Sequence, residues 1–222
     1  MRLKMTSHLQ ALLNASEARA KGENPPAPPS PKANAKIQRL LQKQQPQKKQ
    51  DIPQECRIIG LDIALRKTGW GIIDLKNGQM TVADCGAIIN KPNAPLSDCL
   101  RQLFRGVKQL LQKYDPQIAS IEGGFFCMNQ RTAIVLGAAR GTTIGLLADK
   151  HVDIFEYAPR RVKQSVCGFG NASKQQVALL VSKTLHIDVT NLSDDTTDAL
   201  ALAICHANQL TTANGLGLGQ PI

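Results

Sequence analysis

Asp62, Glu122, Asp195 and Asp198 are the residues whose type and setting point to chemistry. Asp62 ends the apolar run that begins at Arg57-Ile-Ile-Gly, and a polar segment separates it from a second apolar run after Thr68-Gly-Trp-Gly71. Aspartate is disfavoured in strands and costly to bury unpaired, so it either caps the turn or answers to a cation. Glu122 ends the run Ile118-Ala-Ser-Ile and is followed by Gly123-Gly124, where the backbone can turn sharply. Asp195 and Asp198 stand three residues apart at the expected start of a helix, hence on one face, while Ala199, Leu202 and Ala203 supply its buried side. Asp194 competes with Asp195 for that place, because it would meet Asp198 at i, i+4; Ser193 or Asp194 is the expected N-cap. Capping and dipole complementation account for one or two of the helix acids, but not for Asp62 and Glu122.

Carboxylates converging on one point repel each other, so the arrangement makes chemical sense only around divalent cations. Hard oxygen ligands with open positions favour Mg²⁺ or Mn²⁺. A pair of such ions, about 3.5 to 4 Å apart, would activate a water and stabilise the leaving oxygen in phosphodiester hydrolysis. The absence of His and Cys among the four disfavours zinc.

The elements that must position these acids follow from hydrophobic periodicity. A strand from Arg57 to Asp62 and a second from Gly69 to Leu75 are followed by Asn77-Gly78, a hairpin signal, and a returning strand from Gln79 to Ile89. Leu96, Leu100, Leu103, Val107, Leu110 and Leu111 recur at helical spacing, which predicts a helix from Ser97 to Tyr114, ended before Pro116. A strand at Ile118–Glu122 is expected next, then a helix from Asn129 to Asp149 rich in small residues (Gly137, Ala138, Ala139, Gly141), and a fifth strand from Val152 to Tyr157. Helices starting at Pro159, Ser173 and Asp195 complete the list. Three strands in a meander and two more, each preceded by a helix, give an α/β fold with a mixed five-stranded sheet flanked by helices. In such a sheet the carboxyl ends of neighbouring strands share one crevice, which would set Asp62 opposite Glu122.

Residues 1–54 differ from the rest. Residues 1–50 hold ten Lys/Arg against two acids, and residues 51–222 hold seventeen against fifteen, so +8 of the net +10 lies in the N-terminal segment. Its Pro25-to-Pro31 stretch and Gln/Lys-rich continuation bury little surface, and we expect a flexible arm there. Its roles divide between non-specific attachment to nucleic acid and a merely solubilising extension, with an organellar import signal as a third reading. Residues 55–210 form the expected folded domain, and 211–222, with Gly215, Gly217 and Gly219, a frayed tail. No apolar run is long enough to span a membrane, and no signal-peptide core is present, which predicts a cytoplasmic protein. The six cysteines stand far apart without a Cys-x-x-Cys pair and are expected as reduced, mostly buried thiols. Arg160, Arg161, Lys163 and Lys174 form the densest basic cluster of a nearly balanced domain, so they are its candidate phosphate contacts.

Four segments in register carry a resemblance: Gly60-Leu-Asp-Ile-Ala-Leu-Arg-Lys-Thr-Gly-Trp-Gly71; Ile121-Glu-Gly-Gly-Phe-Phe126 with Leu136-Gly-Ala-Ala-Arg-Gly141; Phe155-Glu-Tyr-Ala-Pro-Arg-Arg-Val-Lys-Gln164; and Asp195-Thr-Thr-Asp-Ala-Leu-Ala-Leu-Ala203. Together, over about residues 57–207, the chain resembles the RuvC family of Holliday-junction resolvases. The resemblance implies an RNase H-like fold, a homodimer, four-way junction DNA as substrate, Mg²⁺-dependent paired nicking in recombination and repair, and a branch-migration motor complex as a further partner. It also implies that Asp62, Glu122, Asp195 and Asp198 are the catalytic, metal-binding acids. Phe125 would be an aromatic that stacks on an unpaired base, and Lys163 and Lys174 basic residues beside the scissile backbone. The helix bearing Leu136 to Gly141 falls at the family's dimer contact. The chain departs from the family's usual Asp-Pro-Gly by having Asp62-Ile63-Ala64, and from its usual residues after the glutamate by having Gly123-Gly124. An RNase H-like nuclease acting on RNA or an RNA–DNA hybrid, and a branched-DNA-binding protein with a lapsed site, are the alternatives.

Overall fold

The computed structural model describes residues 55–123, 129–211 and 220–222. Within them, strands β1 (Glu55–Asp62), β2 (Lys67–Lys76) and β3 (Gln79–Ile89) lead into helix α1 (Leu96–Tyr114). Then come β4 (Ile118–Glu122), α2 (Gln130–Asp149), β5 (Asp153–Tyr157), α3 (Pro159–Cys167), α4 (Lys174–Leu185), α5 (Asp194–Thr211) and the two-residue β6 (Gln220–Pro221). The sheet order is β3-β2-β1-β4-β5-β6. The meander β1-β2-β3 is antiparallel, β1, β4 and β5 run parallel, and β6 adds an antiparallel edge to β5. The expected five-stranded mixed sheet is therefore present. The end of the chain, expected to be frayed, contributes a short sixth strand at Gln220–Pro221, where composition carried no strand signal.

Local chemistry sets the boundaries. Asn77 and Gly78 both take positive φ (51° and 79°), the primed-turn geometry that matches the twist of the two strands they join. Asp115 ends α1 in the left-handed conformation just before Pro116. Ser173 opens α4 with a capping box closed by Gln176. Ser193 is the residue before α5, and its hydroxyl accepts from the Thr196 amide, so of the two candidate caps the serine takes the place and Asp194 becomes the first helical residue.

Strand alternation sends side chains to two cores. Ile59, Leu61, Ile72, Ala119 and Ile121 pack with α1 and α2 on one face, while Ile58, Ile73, Leu75 and Ile118 pack with α3, α4 and α5 on the other. The second face carries the site. Helix α5 is buried along most of its length and lies across β1, β2 and β4. A Cβ on Gly60 would stand 1.9 Å from the Ala199 carbonyl oxygen, and one on Gly69 1.9 Å from that of Asp195, so these two glycines are what let α5 lie directly on the sheet. Ser120, buried in β4, donates its hydroxyl to the Leu202 carbonyl at 2.7 Å and ties the same helix to the centre of the sheet.

Another buried polar group on that face is His206. Its Nδ1 lies 2.7 Å from the Tyr157 hydroxyl, its ring packs on Phe155, and burial pushes it down to about 4, which keeps it neutral. His151 and His186 sit in left-handed positions beside helix ends, and His8 lies outside the described residues. The five described cysteines are free thiols, three of them buried. Among the described residues no helix is long and apolar enough to cross a membrane.

Candidate active site

Parity and register together bring the strand acids to one place. In β1, Ile58 and Gly60 face α5 and Ile59 and Leu61 face away; Asp62, two residues beyond Gly60, faces α5 at the strand's carboxyl end. Strand β4 pairs with β1 in parallel, with Gly60 opposite Ser120 and Leu61 opposite Ile121. One step further, Glu122 comes up beside Asp62 on the same face. The first turn of α5 closes the crevice from above, because Gly69, the β2 partner of Asp62, touches the Asp195 backbone.

The charges register this proximity. Burial, followed by the charges of Asp198, Glu122 and Asp195, pushes Asp62 up to about 7, with Lys174 opposing. Glu122, exposed at the mouth of the crevice, is raised by partial desolvation and by Asp198, against the pull of Arg140, Lys163 and Lys174. Asp198 is raised by burial, with Lys174 opposing, and by the charges of Asp194 and Asp195. Asp62 therefore lies within reach of the charges of the other three acids. Two of them have cationic partners: Asp195 pairs with Lys67 at 2.8 Å, and Asp198 with Lys174 at 3.4 Å. Asp194 pairs with the same Lys174 at 3.6 Å, pointing outward and more exposed than Asp195.

The acids do not all close on a single point. Among the described residues, no three Asp, Glu, His or Cys side chains stand close enough to share one ion. The acids of α5 are tied to different cations, Asp195 to Lys67 and both Asp194 and Asp198 to Lys174. Among the described residues, no cation pairs with Asp62 at the centre of the site. Asp62 is half-buried, and its carboxyl is raised first by burial and then by the neighbouring carboxylates. Hard oxygen donors around an unmet negative charge, with no His or Cys among them, suit a divalent cation such as Mg²⁺ or Mn²⁺.

The turn after Asp62 holds its shape without Pro-Gly. Neither Ile63 nor Ala64 takes a positive φ, so no glycine is required there. The Thr68 hydroxyl donates to the Ala64 carbonyl at 2.6 Å. The Asn90 amide, almost wholly buried, donates to the carbonyls of Leu65 (2.6 Å) and Cys99 (3.2 Å), and Arg66 reaches the carbonyls of Lys91 and Ala94. On the other strand, Gly123 donates its amide to the Tyr157 carbonyl at 2.9 Å and packs against Glu156.

Of the expected basic residues, Lys163 and Lys174 act on the carboxylates, while Arg160 and Arg161 stand elsewhere. Arg161 donates to the Gln209 side chain at 3.1 Å, and Gln209 lies about 20 Å along α5 from Asp195. Arg160 is exposed, its stem lying against Gly170. Phe125 falls outside the described residues. Two further residues join the site, Lys67 and Arg140. Arg140 donates to the Glu122 carbonyl, pairs with Glu156, and with Leu136 and Ile63 lines a small cavity between Asp62 and Glu122. Both lie inside sequence segments already singled out, but a lone cation there carries no sign of its partner until the strands are paired.

The family model of Crossover junction endodeoxyribonuclease RuvC matches residues 58–206, which contain all four acids. A RuvC of Chloroflexus aurantiacus is 37% identical over 162 residues, covering 73% of this chain and 99% of its own length. The chain belongs to the RuvC family. The fold agrees: the structure of Thermus thermophilus RuvC in complex with Holliday junction substrate superposes with a TM-score of 0.68 at 24% identity, covering 75% of this chain and 99% of that one. The yeast mitochondrial Holliday junction resolvase Ydc2 follows at 0.52 and 12% identity, covering 89% of this chain and 92% of its own. Residues 1–54 lie outside the RuvC match.

Proposed function

We propose that this RuvC-family chain is a structure-selective endonuclease that resolves four-way DNA junctions by paired, Mg²⁺-dependent nicks. The observation that carries this reading is the crevice where Asp62 and Glu122, at the ends of adjacent parallel strands, face Asp195 and Asp198 on α5 with a deficit of positive charge at the centre. Asp62, Glu122, Asp195 and Asp198 would hold two Mg²⁺ or Mn²⁺ ions, which when bound supply an activated water and a Lewis acid for the scissile phosphate.

The chain's own residues do the rest. Lys163 and Lys174, which already act electrostatically on Glu122, supply positive charge at the rim for the DNA backbone. Arg140 anchors the backbone of Glu122, and the Thr68 and Asn90 bonds hold the turn that aims Asp62. Phe125, three residues beyond Glu122 in the sequence, is proposed to stack on a base at the junction. Arg160, exposed, would reach backbone further from the acids, and Arg161 contributes mainly through its bond to α5.

A junction has two strands to cut, and a two-fold protein matches a two-fold substrate. The face of α2 supports a homodimer. Ile134, 71% exposed, heads a stripe that continues through Gly137, Gly141 and Gly145, where an added Cβ would meet nothing within 4 Å. Backbone so open allows a second helix to approach closely.

The test is cleavage of a synthetic four-way junction with Mg²⁺, beside linear duplex and RNA–DNA hybrid. Symmetric nicks in the junction alone are expected. Glu122→Gln should keep junction binding and lose cleavage by roughly a hundredfold or more, the loss of several kcal/mol of metal-dependent stabilisation. Preferential cutting of the hybrid, or undiminished cleavage by the variant, would overturn the reading.

A further inference from the structure

We propose that Lys67 is a built-in counter-ion of Asp195 that holds this carboxylate until a divalent cation takes it, and so sets the metal concentration at which the site loads. The inference rests on the metal-centre reading above. Its basis is the contact itself. Lys67 opens β2, two residues before Gly69, and the close seating of Gly69 on the Asp195 backbone fixes the strand against the first turn of α5. From there the ammonium reaches Asp195 Oδ2 at 2.8 Å, with both side chains about one-third exposed (36% and 33%).

Lys174 is a different case. It straddles Asp194 and Asp198 at 3.6 and 3.4 Å, and is 61% exposed. Lys67 makes the tighter, less solvated and single-partner pair. It also accounts for the geometry of the crevice: Asp195 contributes charge to Asp62 while its oxygen is bound to the lysine, and among the described residues no three acids close on one point.

A cation entering the crevice must displace Lys67 from Asp195 and then tolerate its positive charge a few ångströms away. Removing the lysine lifts both penalties. A pair about one-third exposed and one unit charge at that range together amount to about a three- to tenfold change in metal affinity. A lysine with only a structural role predicts the reverse, because an Asp195 that loses its tether would bind metal more weakly.

Mn²⁺ binding to the full-length, DNA-free protein, followed by electron paramagnetic resonance, separates these outcomes. Lys67→Met and Lys67→Gln should each bind Mn²⁺ about three- to tenfold more tightly than the unmodified protein, and Lys67→Arg, which keeps the charge, should stay near it. The Mg²⁺ concentration for half-maximal junction cleavage should fall in the same two variants. Unchanged or weaker Mn²⁺ binding in folded Lys67→Met and Lys67→Gln proteins, alongside normal binding by the unmodified protein, overturns the role of Lys67 alone. Absence of Mn²⁺ binding by the unmodified protein overturns the metal-centre reading, and this inference with it.

Discussion

An Asp62→Asn substitution exchanges a carboxyl that burial and three neighbouring carboxylates push from the ordinary 3.8 to about 7 for an amide of the same shape that never ionises. Because the folded-state value lies above the unfolded one, Asp62 favours folding only while protonated in the native protein, and that contribution is lost as pH rises from about 4 through about 7. Above pH 7 the native protein carries a charge it would rather shed. The gap of 7 over 3.8 converts at about 1.36 kcal/mol per pKa unit to an upper limit of about 4 kcal/mol. Solvent at the open side of the crevice screens part of it, leaving about 1 to 3 kcal/mol. Asparagine forfeits no ion pair, since Asp62 makes none among the described residues. Metal-free Asp62→Asn protein should therefore be more stable than the unmodified chain at pH 8, by that amount, in urea denaturation with a chelator present. At pH 5 the gain should shrink to roughly a third, since only the step from 3.8 to 5 still counts. His206, pushed down to about 4 by burial, weakens both proteins alike in acid and cancels in the comparison. Excess Mg²⁺ should reverse the ranking, because only the carboxylate gains from binding the ion. Equal stability at pH 8, or a gain of the same size at both pH values, would refute the account of a crevice short of positive charge.

Three other substitutions test the framework. Gly69→Ala places a Cβ 1.9 Å from the Asp195 carbonyl and should cost about 1 to 3 kcal/mol in a thermal melt while weakening Mn²⁺ binding, since helix α5 must lift from β2. Asn90→Ala leaves the carbonyls of Leu65 and Cys99 without their buried donor; a loss of about 1 to 3 kcal/mol is expected, with slower single-turnover junction cleavage because the turn behind Asp62 loosens. Ile134→Asp puts a charge on the open stripe of α2 and should shift the protein from dimer to monomer in sedimentation and turn paired cuts into single nicks.

The strands that carry the site were legible because their signal is local. An apolar run broken at its end by Asp62, another by Glu122, and an Asn77-Gly78 hairpin between the second and third strands are statements about neighbours in the chain, and period-two alternation then decides which face each acid takes. The same holds for helix α5, whose small buried residues and leading acids mark both its register and its start.

What local pattern could not carry is the choice of partner. Arg161 and Lys163 are two residues apart in α3, yet one is bound to Gln209 and the other acts on Glu122, a difference set by how α3 rotates against α5. Lys67 and Arg140 carry no mark of their roles until β2 meets the first turn of α5 and α2 reaches β4. The frayed end expected at the C-terminus contains a strand at Gln220–Pro221 because β5 offers an open edge, a property of the sheet rather than of the residues that fill it. Sequence alone determined which residues could do the chemistry and on which element each rides, since periodicity is written along the chain. Only the tertiary structure decided which cation neutralises which acid and which acid is left without one, since charges interact through space at distances that chain order does not encode.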